Sequence, residues 1–198
     1  MPFSAMSETI RKSIHISSLI IPLTYKYIIT FERQKLAFFL LLIALIISLA
    51  IEFGRFWQKS FRKNFMRLFG LILRKHEWKD FTGATYLIFS SMLCVAFFRP
   101  DVAFCAMAFV SIGDTFAAMI GINFGKRKFL GMNKSLEGSI ACFCSTFIFA
   151  LIFGLHPIVA VVGALAAALA EVWNIPVDDN VKIPLISGIA MTFMGIII

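Results

Sequence analysis

Seven apolar stretches, at roughly 13–31, 36–54, 81–98, 102–122, 138–155, 157–173 and 183–198, follow one another with little between them. A helix needs about 20 mostly apolar residues to cross a bilayer, and inside the bilayer it must satisfy every backbone polar group itself. The runs are continuous rather than alternating, which rules out a strand barrel. The spacing therefore predicts an all-α polytopic membrane bundle of about seven transmembrane helices, with 1–198 a single integral membrane domain. Composition points the same way. Hydrophobic residues make up 60% of the chain and charged residues 15%, where soluble domains carry about 45–50% and about 25%. Disorder is excluded and a soluble globular domain is disfavoured.

The stretch 55–80 differs in kind. Phe61, Phe65, Leu68, Phe69, Ile72 and Leu73 recur at helical spacing, and Lys59, Arg62, Lys63, Arg67, Arg74 and Lys75 fill much of the rest. That pattern predicts an amphipathic helix lying in the headgroup plane, with Trp57 and Trp78 as anchors. A connector packed on the bundle is the alternative. If all seven spans are real, the N-terminus and the connections 55–80, 123–137 and 174–182 share one side. That side holds 15 Lys and Arg, and the other holds 4: Lys26, Arg33, Lys35 and Arg99. The asymmetry places the basic side and the N-terminus in the cytoplasm. The net charge of +8 thus belongs to a membrane- or nucleotide-facing surface and not to nucleic-acid binding. No A-x-A-like site follows the first apolar run, so that run is read as a span and not a cleaved leader.

Cys94, Cys105, Cys142 and Cys144 fall in apolar runs without a C-x-x-C, and they read as small buried residues. His15, His76 and His156 show no zinc spacing. His15 follows Arg11 and Lys12 by one helical turn and suits the same face.

Ionisable residues inside spans are costly and are functional candidates by default. Asp114 lies in the second half of the fourth span, Glu171 at the end of the sixth, and Glu52 and Arg55 at the end of the second. The predicted orientation brings all four to the cytoplasmic side. After Asp114 come Thr115, Gly121, Asn123 and Gly125, then Lys126, Arg127, Lys128, Asn133, Lys134 and Ser135. Glycine admits close approach to a ligand, and lysines beside hydroxyl donors hold phosphate oxygens. Close helix packing through Gly121 and Gly125 explains the same residues and stays open. Beyond the sixth span, Asp178, Asp179 and Asn180, with Asp114 on the same face, suit hard oxygen coordination of Mg²⁺. A solvated acidic turn is the alternative.

Several segments occur in a fixed order. They are Arg11-Lys12-Ser13-Ile14-His15, Glu52-Phe53-Gly54-Arg55, Thr82-Gly83-Ala84-Thr85-Tyr86 and Gly113-Asp114-Thr115-Phe116-Ala117-Ala118. Gly121, Phe124, Gly125 and Lys126 come next, then Lys134-Ser135-Leu136-Glu137-Gly138-Ser139, and finally Glu171, Asp179-Asn180 and Pro184. In order and spacing they resemble the CTP-dependent lipid-alcohol kinases, a family that includes dolichol kinase, phytol kinase and the yeast-type diacylglycerol kinase. The resemblance covers nearly the whole chain. It implies Mg²⁺-assisted transfer of the γ-phosphate of CTP to the hydroxyl of a membrane lipid alcohol, reached laterally from the bilayer. It also implies roles for individual residues. Asp114, Lys134 and Glu171 would be catalytic, with Asp114 binding metal or activating the hydroxyl. Arg11, Lys12, Gly121, Gly125, Lys126, Lys134, Ser135 and Asn180 would bind the nucleotide. Asp114, Asp178 and Asp179 would hold the metal.

The K-S-x-E-G and D-T-x-A-x-x-x-G elements are also similar to those of phosphatidate cytidylyltransferases, although their longer C-terminal signature is missing. A third reading, a small ion-coupled transporter relaying through Asp114 and Glu171, is opposed by the nearly all-apolar outer half. The sequence leaves open whether the chain forms a homo-oligomer.

Overall fold

The long apolar runs become helices because the backbone inside a bilayer has no other partner for its polar groups. In the computed structural model, described over residues 13–70, 72–73, 76–129 and 134–198, the described residues are helical apart from turns and one isolated bridge between Lys128 and Ser135. Residues 13–17 are helical. They are followed by α1 (Ile20–Thr24), a π-helical turn (Tyr25–Ile29) and a 3-10 turn (Phe31–Arg33). Then come α2 (Gln34–Trp57), α3 (Lys59–Phe69), a 3-10 turn (His76–Trp78), α4 (Gly83–Phe97), α5 (Pro100–Phe124), α6 (Leu136–Ile152), α7 (Pro157–Val172) and α8 (Asp179–Ile197).

Three helical stretches are long and apolar enough to cross a membrane: Phe31–Trp57 with 27 residues, Pro100–Phe124 with 25 and Asp179–Ile197 with 19. Helices α4, α6 and α7 are apolar but have only 15, 17 and 16 residues. At 1.5 Å per residue they fall short of a hydrocarbon core about 30 Å thick. Among the described residues the predicted seven-fold count therefore resolves into three full-length candidates and three shorter apolar helices. The run at 13–31 is apolar but is not one helix. Pro22 is buried within it, and Ser17 and Ser18 return their hydroxyls to the carbonyls of Ser13 and His15. Side chains of this kind compete with the helical ladder. Thr30 ends the segment at φ 67°, a left-handed conformation costly for a β-branched residue. Lys26 lies over the rings of Phe104 and Phe153, 4.8 and 4.5 Å from their centroids.

Helix α5 is the central pillar. Val102 through Gly113 are buried without interruption, as expected of a helix that is apolar on all sides. Pro100 and Pro157 stand at the first positions of α5 and α7, where a missing N–H costs nothing. Ser135 caps α6 by accepting from the N–H of Gly138, and Asp178 caps α8 by accepting from the N–H of Asn180. Of the cysteines, Cys94, Cys105 and Cys142 are buried as expected, whereas Cys144 is exposed.

The amphipathic helix is shorter than its sequence pattern suggests, because α3 stops at Phe69. Its Phe61, Phe65 and Phe69 stack in a row at centroid distances of 6.4 and 5.0 Å.

Close approach joins α5 to α6. A Cβ on Gly138 would lie 2.8 Å from the carbonyl oxygen of Ala117 and 3.4 Å from the Cα of Gly121. Backbone cannot yield there as a flexible side chain can. Gly138→Ala is expected to cost about 1–3 kcal/mol through overpacking. The midpoint of thermal unfolding in detergent would fall by several degrees, and an unchanged midpoint would contradict the packing.

Candidate active site

Six helix ends meet at one end of the bundle: the last turns of α2, α5 and α7 and the first turns of α4, α6 and α8. The charges are densest between α6, α7 and α8. Lys134, just before α6, places its Nζ 3.1 Å from Oε1 of Glu171 and 3.6 Å from Oδ2 of Asp179. It also donates to the backbone carbonyl of Glu171. Lys182 places its Nζ 2.7 Å from the other Asp179 oxygen and donates to the carbonyl of Trp173 at 2.6 Å. Two ammonium groups and two carboxylates thus alternate in space. Glu171 and Lys182 are nearly buried, but the Lys134 side chain keeps 31% of its surface exposed. Of the two lysines, Lys134 is the one placed to exchange a carboxylate for an arriving phosphate.

Asp114 lies in the second half of α5, well before its last turn. Its Oδ2 is 3.4 Å from Nε2 of His15, which also contacts the carbonyl of Val110 at 3.0 Å. Beside this pair the hydroxyls of Ser18 and Ser111 meet at 2.6 Å. The segment that begins at residue 13 is thereby tied to the middle of α5.

Other predicted residues have different surroundings. Gly121 and Gly125 face Ser135, and a Cβ at either would crowd its hydroxyl at 3.1 or 2.6 Å. They let α5 approach the start of α6, which is the packing alternative that the sequence left open. Ser135 is buried and spends its oxygen on the helix cap. Lys126 is exposed. Glu137 accepts from the N–H of Arg127 at 3.2 Å, and backbone N–H groups, its own first, hold its carboxyl below the ordinary range. Asn180 is buried at the first turn of α8, and its Oδ1 has no hydrogen-bond partner. Arg11 and Lys12 lie outside the described residues.

The three proposed metal ligands do not form a cluster. Asp178 is occupied as the cap of α8, and Asp179 lies between two lysines. Among the described residues no three His, Cys, Asp or Glu side chains converge as a metal site.

A second buried polar cluster adjoins this one. The Arg55 guanidinium donates to Glu52 and to the carbonyls of Glu77 and Asp80. Glu52 in turn accepts from the N–H of Thr82 at 2.9 Å and the hydroxyl of Thr85 at 3.1 Å. Glu77 accepts from the N–H of Gly83 at 2.9 Å, and a Cβ on Gly83 would lie 3.0 Å from the Asn180 amide nitrogen. The sequence placed His15 on the face of Arg11 and Lys12 but gave it no role, and it did not single out Lys182, whose i, i+3 spacing from Asp179 is a signal for their pairing. Only the tertiary fold brings His15 to Asp114.

No family model matches the chain, and no solved structure is significantly similar. Curated relatives do exist. An uncharacterised protein of Rickettsia prowazekii is 25% identical over 189 residues, covering 90% of each chain. A CTP-dependent diacylglycerol kinase of Schizosaccharomyces pombe is 26% identical over 154 residues, covering 68% of this chain and 70% of the kinase. The enzyme of the same name from Saccharomyces cerevisiae is 33% identical over 104 residues, or 52% of this chain and 36% of its own length. The chain is thus similar over most of its length to a CTP-dependent diacylglycerol kinase. The apolar helices and this similarity are consistent with a membrane protein.

Proposed function

We propose that the chain transfers the γ-phosphate of CTP to the hydroxyl of a membrane lipid alcohol, with diacylglycerol, the substrate named for its fungal relatives, as the first acceptor to test. The observation that carries this reading is the meeting of Lys134, Glu171 and Asp179 at the ends of α6, α7 and α8. A lipid hydroxyl and a water-soluble nucleotide can both reach that depth. The hydroxyl oxygen attacks the γ-phosphorus, the bond to the β-phosphate oxygen breaks, and CDP leaves. Asp114, held by His15, accepts the hydroxyl proton. Lys134 releases Glu171 and Asp179 to grip the triphosphate, and Lys182 keeps Asp179 oriented. Mg²⁺ enters as part of the nucleotide substrate and neutralises charge on its phosphates. Catalysis then rests on positioning and electrostatics. Seven membrane crossings, resting on the seven apolar runs, complete the proposal, and with that count the lysine and arginine asymmetry puts the N-terminus and the active site on the cytoplasmic side.

The decisive experiment gives the purified protein Mg²⁺ and γ-labelled CTP, with diacylglycerol, phosphatidate or a polyprenol supplied separately. Label in the lipid phase is expected with diacylglycerol. Label released as pyrophosphate only when phosphatidate is present would make the chain a cytidylyltransferase. Label remaining in CTP under every condition would remove the kinase reading.

A further inference from the structure

Beside the charged cluster, helices α7 and α8 enclose a groove of about 530 Å³ lined by Ala166, Leu169, Ala170, Val172, Trp173 and Ile186. That volume lies in the range of ligand sites, about 300–1,000 Å³. The recess arises because Ala166 and Ala170 are small and stand one turn apart on α7. Leu169 and Trp173 remain 62% and 59% exposed at its sides. From Trp173 to Ala166 the groove runs along two turns of α7, about 10 Å at 1.5 Å per residue.

The groove walls are apolar throughout. Its lining residue Trp173 ties it to the charged cluster, because the Trp173 backbone carbonyl accepts from Lys182. Lys182 is paired with Asp179, and Glu171 lies two residues before Trp173 on the same helix. An occupant complementary to this surface is a hydrocarbon chain whose polar end stops at the charged cluster. The geometry points to an acyl chain of the acceptor diacylglycerol, held between α7 and α8 so that the glycerol hydroxyl lies at the level of Glu171 and Asp179. The inference rests on the kinase reading and adds where the acceptor binds. It also gives the site a means of choosing among lipids, because a chain that fails to fill the recess leaves its hydroxyl at the wrong depth.

The test uses the full chain in detergent micelles with a diacylglycerol that carries a photoreactive diazirine within one acyl chain, irradiated without nucleotide. Adducts are expected on Leu169, Trp173 and Ile186, suppressed by excess unlabelled dioleoylglycerol. Label spread equally over exposed apolar residues of α2 such as Ile43, Ile46 and Ile47, and insensitive to the competitor, would overturn the inference. So would competition by a polyprenol but not by dioleoylglycerol. In parallel, Ala166→Phe should raise the KM for diacylglycerol about tenfold and spare the KM for CTP, whereas Ile46→Phe, on the exposed face of α2, should change neither. A diacylglycerol KM that does not move in Ala166→Phe would also overturn it. The two readings fail separately. Competed label in the groove of a wild-type protein that transfers no phosphate would retain the groove and remove the kinase. An active wild-type protein with uncompeted label would do the opposite.

Discussion

Asp114→Asn should lower turnover about 10²–10⁴-fold, the range for losing a positioned general acid or base, while thermal unfolding stays close to wild type. The substitution keeps the size and hydrogen-bonding ability of the side chain and removes only its charge. Asp114 sits on α5, whose preceding residues Val102 to Gly113 are all buried and anchor it from one side. Its contact with His15 at 3.4 Å comes from a segment distant in sequence. An amide can keep that contact but cannot take a proton from the acceptor hydroxyl. In the proposed mechanism Lys134 and not Asp114 meets the phosphates, so the loss should fall on kcat, with the KM for CTP changed little. Steady-state kinetics with labelled CTP, alongside thermal unfolding of the same preparation, would check both. Full activity in Asp114→Asn would eliminate Asp114 as the base. Loss of activity together with unfolding would assign it to structure.

The fold was legible wherever one physical requirement dominated. The runs that became α2, α5 and α8 could be read directly, because a long uninterrupted apolar stretch has few alternatives to a helix. The irregularity of the run at 13–31 was not legible, for a specific reason. Its apolar content is sufficient, but Pro22, two serines and the left-handed Thr30 break the ladder, and hydropathy does not weigh these. The site was legible through cost. Asp114 and Glu171 stood out because a carboxylate in an apolar run requires a reason. The glycines were ambiguous in principle, since a missing side chain admits a phosphate or a neighbouring helix equally well. Here Gly121 and Gly125 admit Ser135. Asp178 had a readable alternative: an aspartate just before an apolar helical run is a cap signal, and capping is what it does.

Arg55→Met should act in the opposite way to Asp114→Asn, reducing stability before it touches chemistry. Arg55 and Glu52 are 1% and 2% exposed, one helical turn apart at the end of α2. Removing one partner of a buried ion pair costs about 3–5 kcal/mol, because the remaining charge cannot be resolvated. The guanidinium also satisfies the carbonyls of Glu77 and Asp80, so its loss would orphan acceptors in the connection leading to α4. Thermal unfolding in detergent should fall sharply for Arg55→Met and much less for the exposed Arg67→Met. The double variant Glu52→Gln with Arg55→Met should recover part of the loss, since neither residue would then leave a buried charge, and that non-additivity measures the coupling. Equal melting of Arg55→Met and Arg67→Met would show that the pair is not structural. Any activity that remains should fall as well, because Glu77 holds Gly83 against Asn180 beside Asp179. The pair thus acts on the candidate site through the first turns of α4 and α8 and touches no substrate itself.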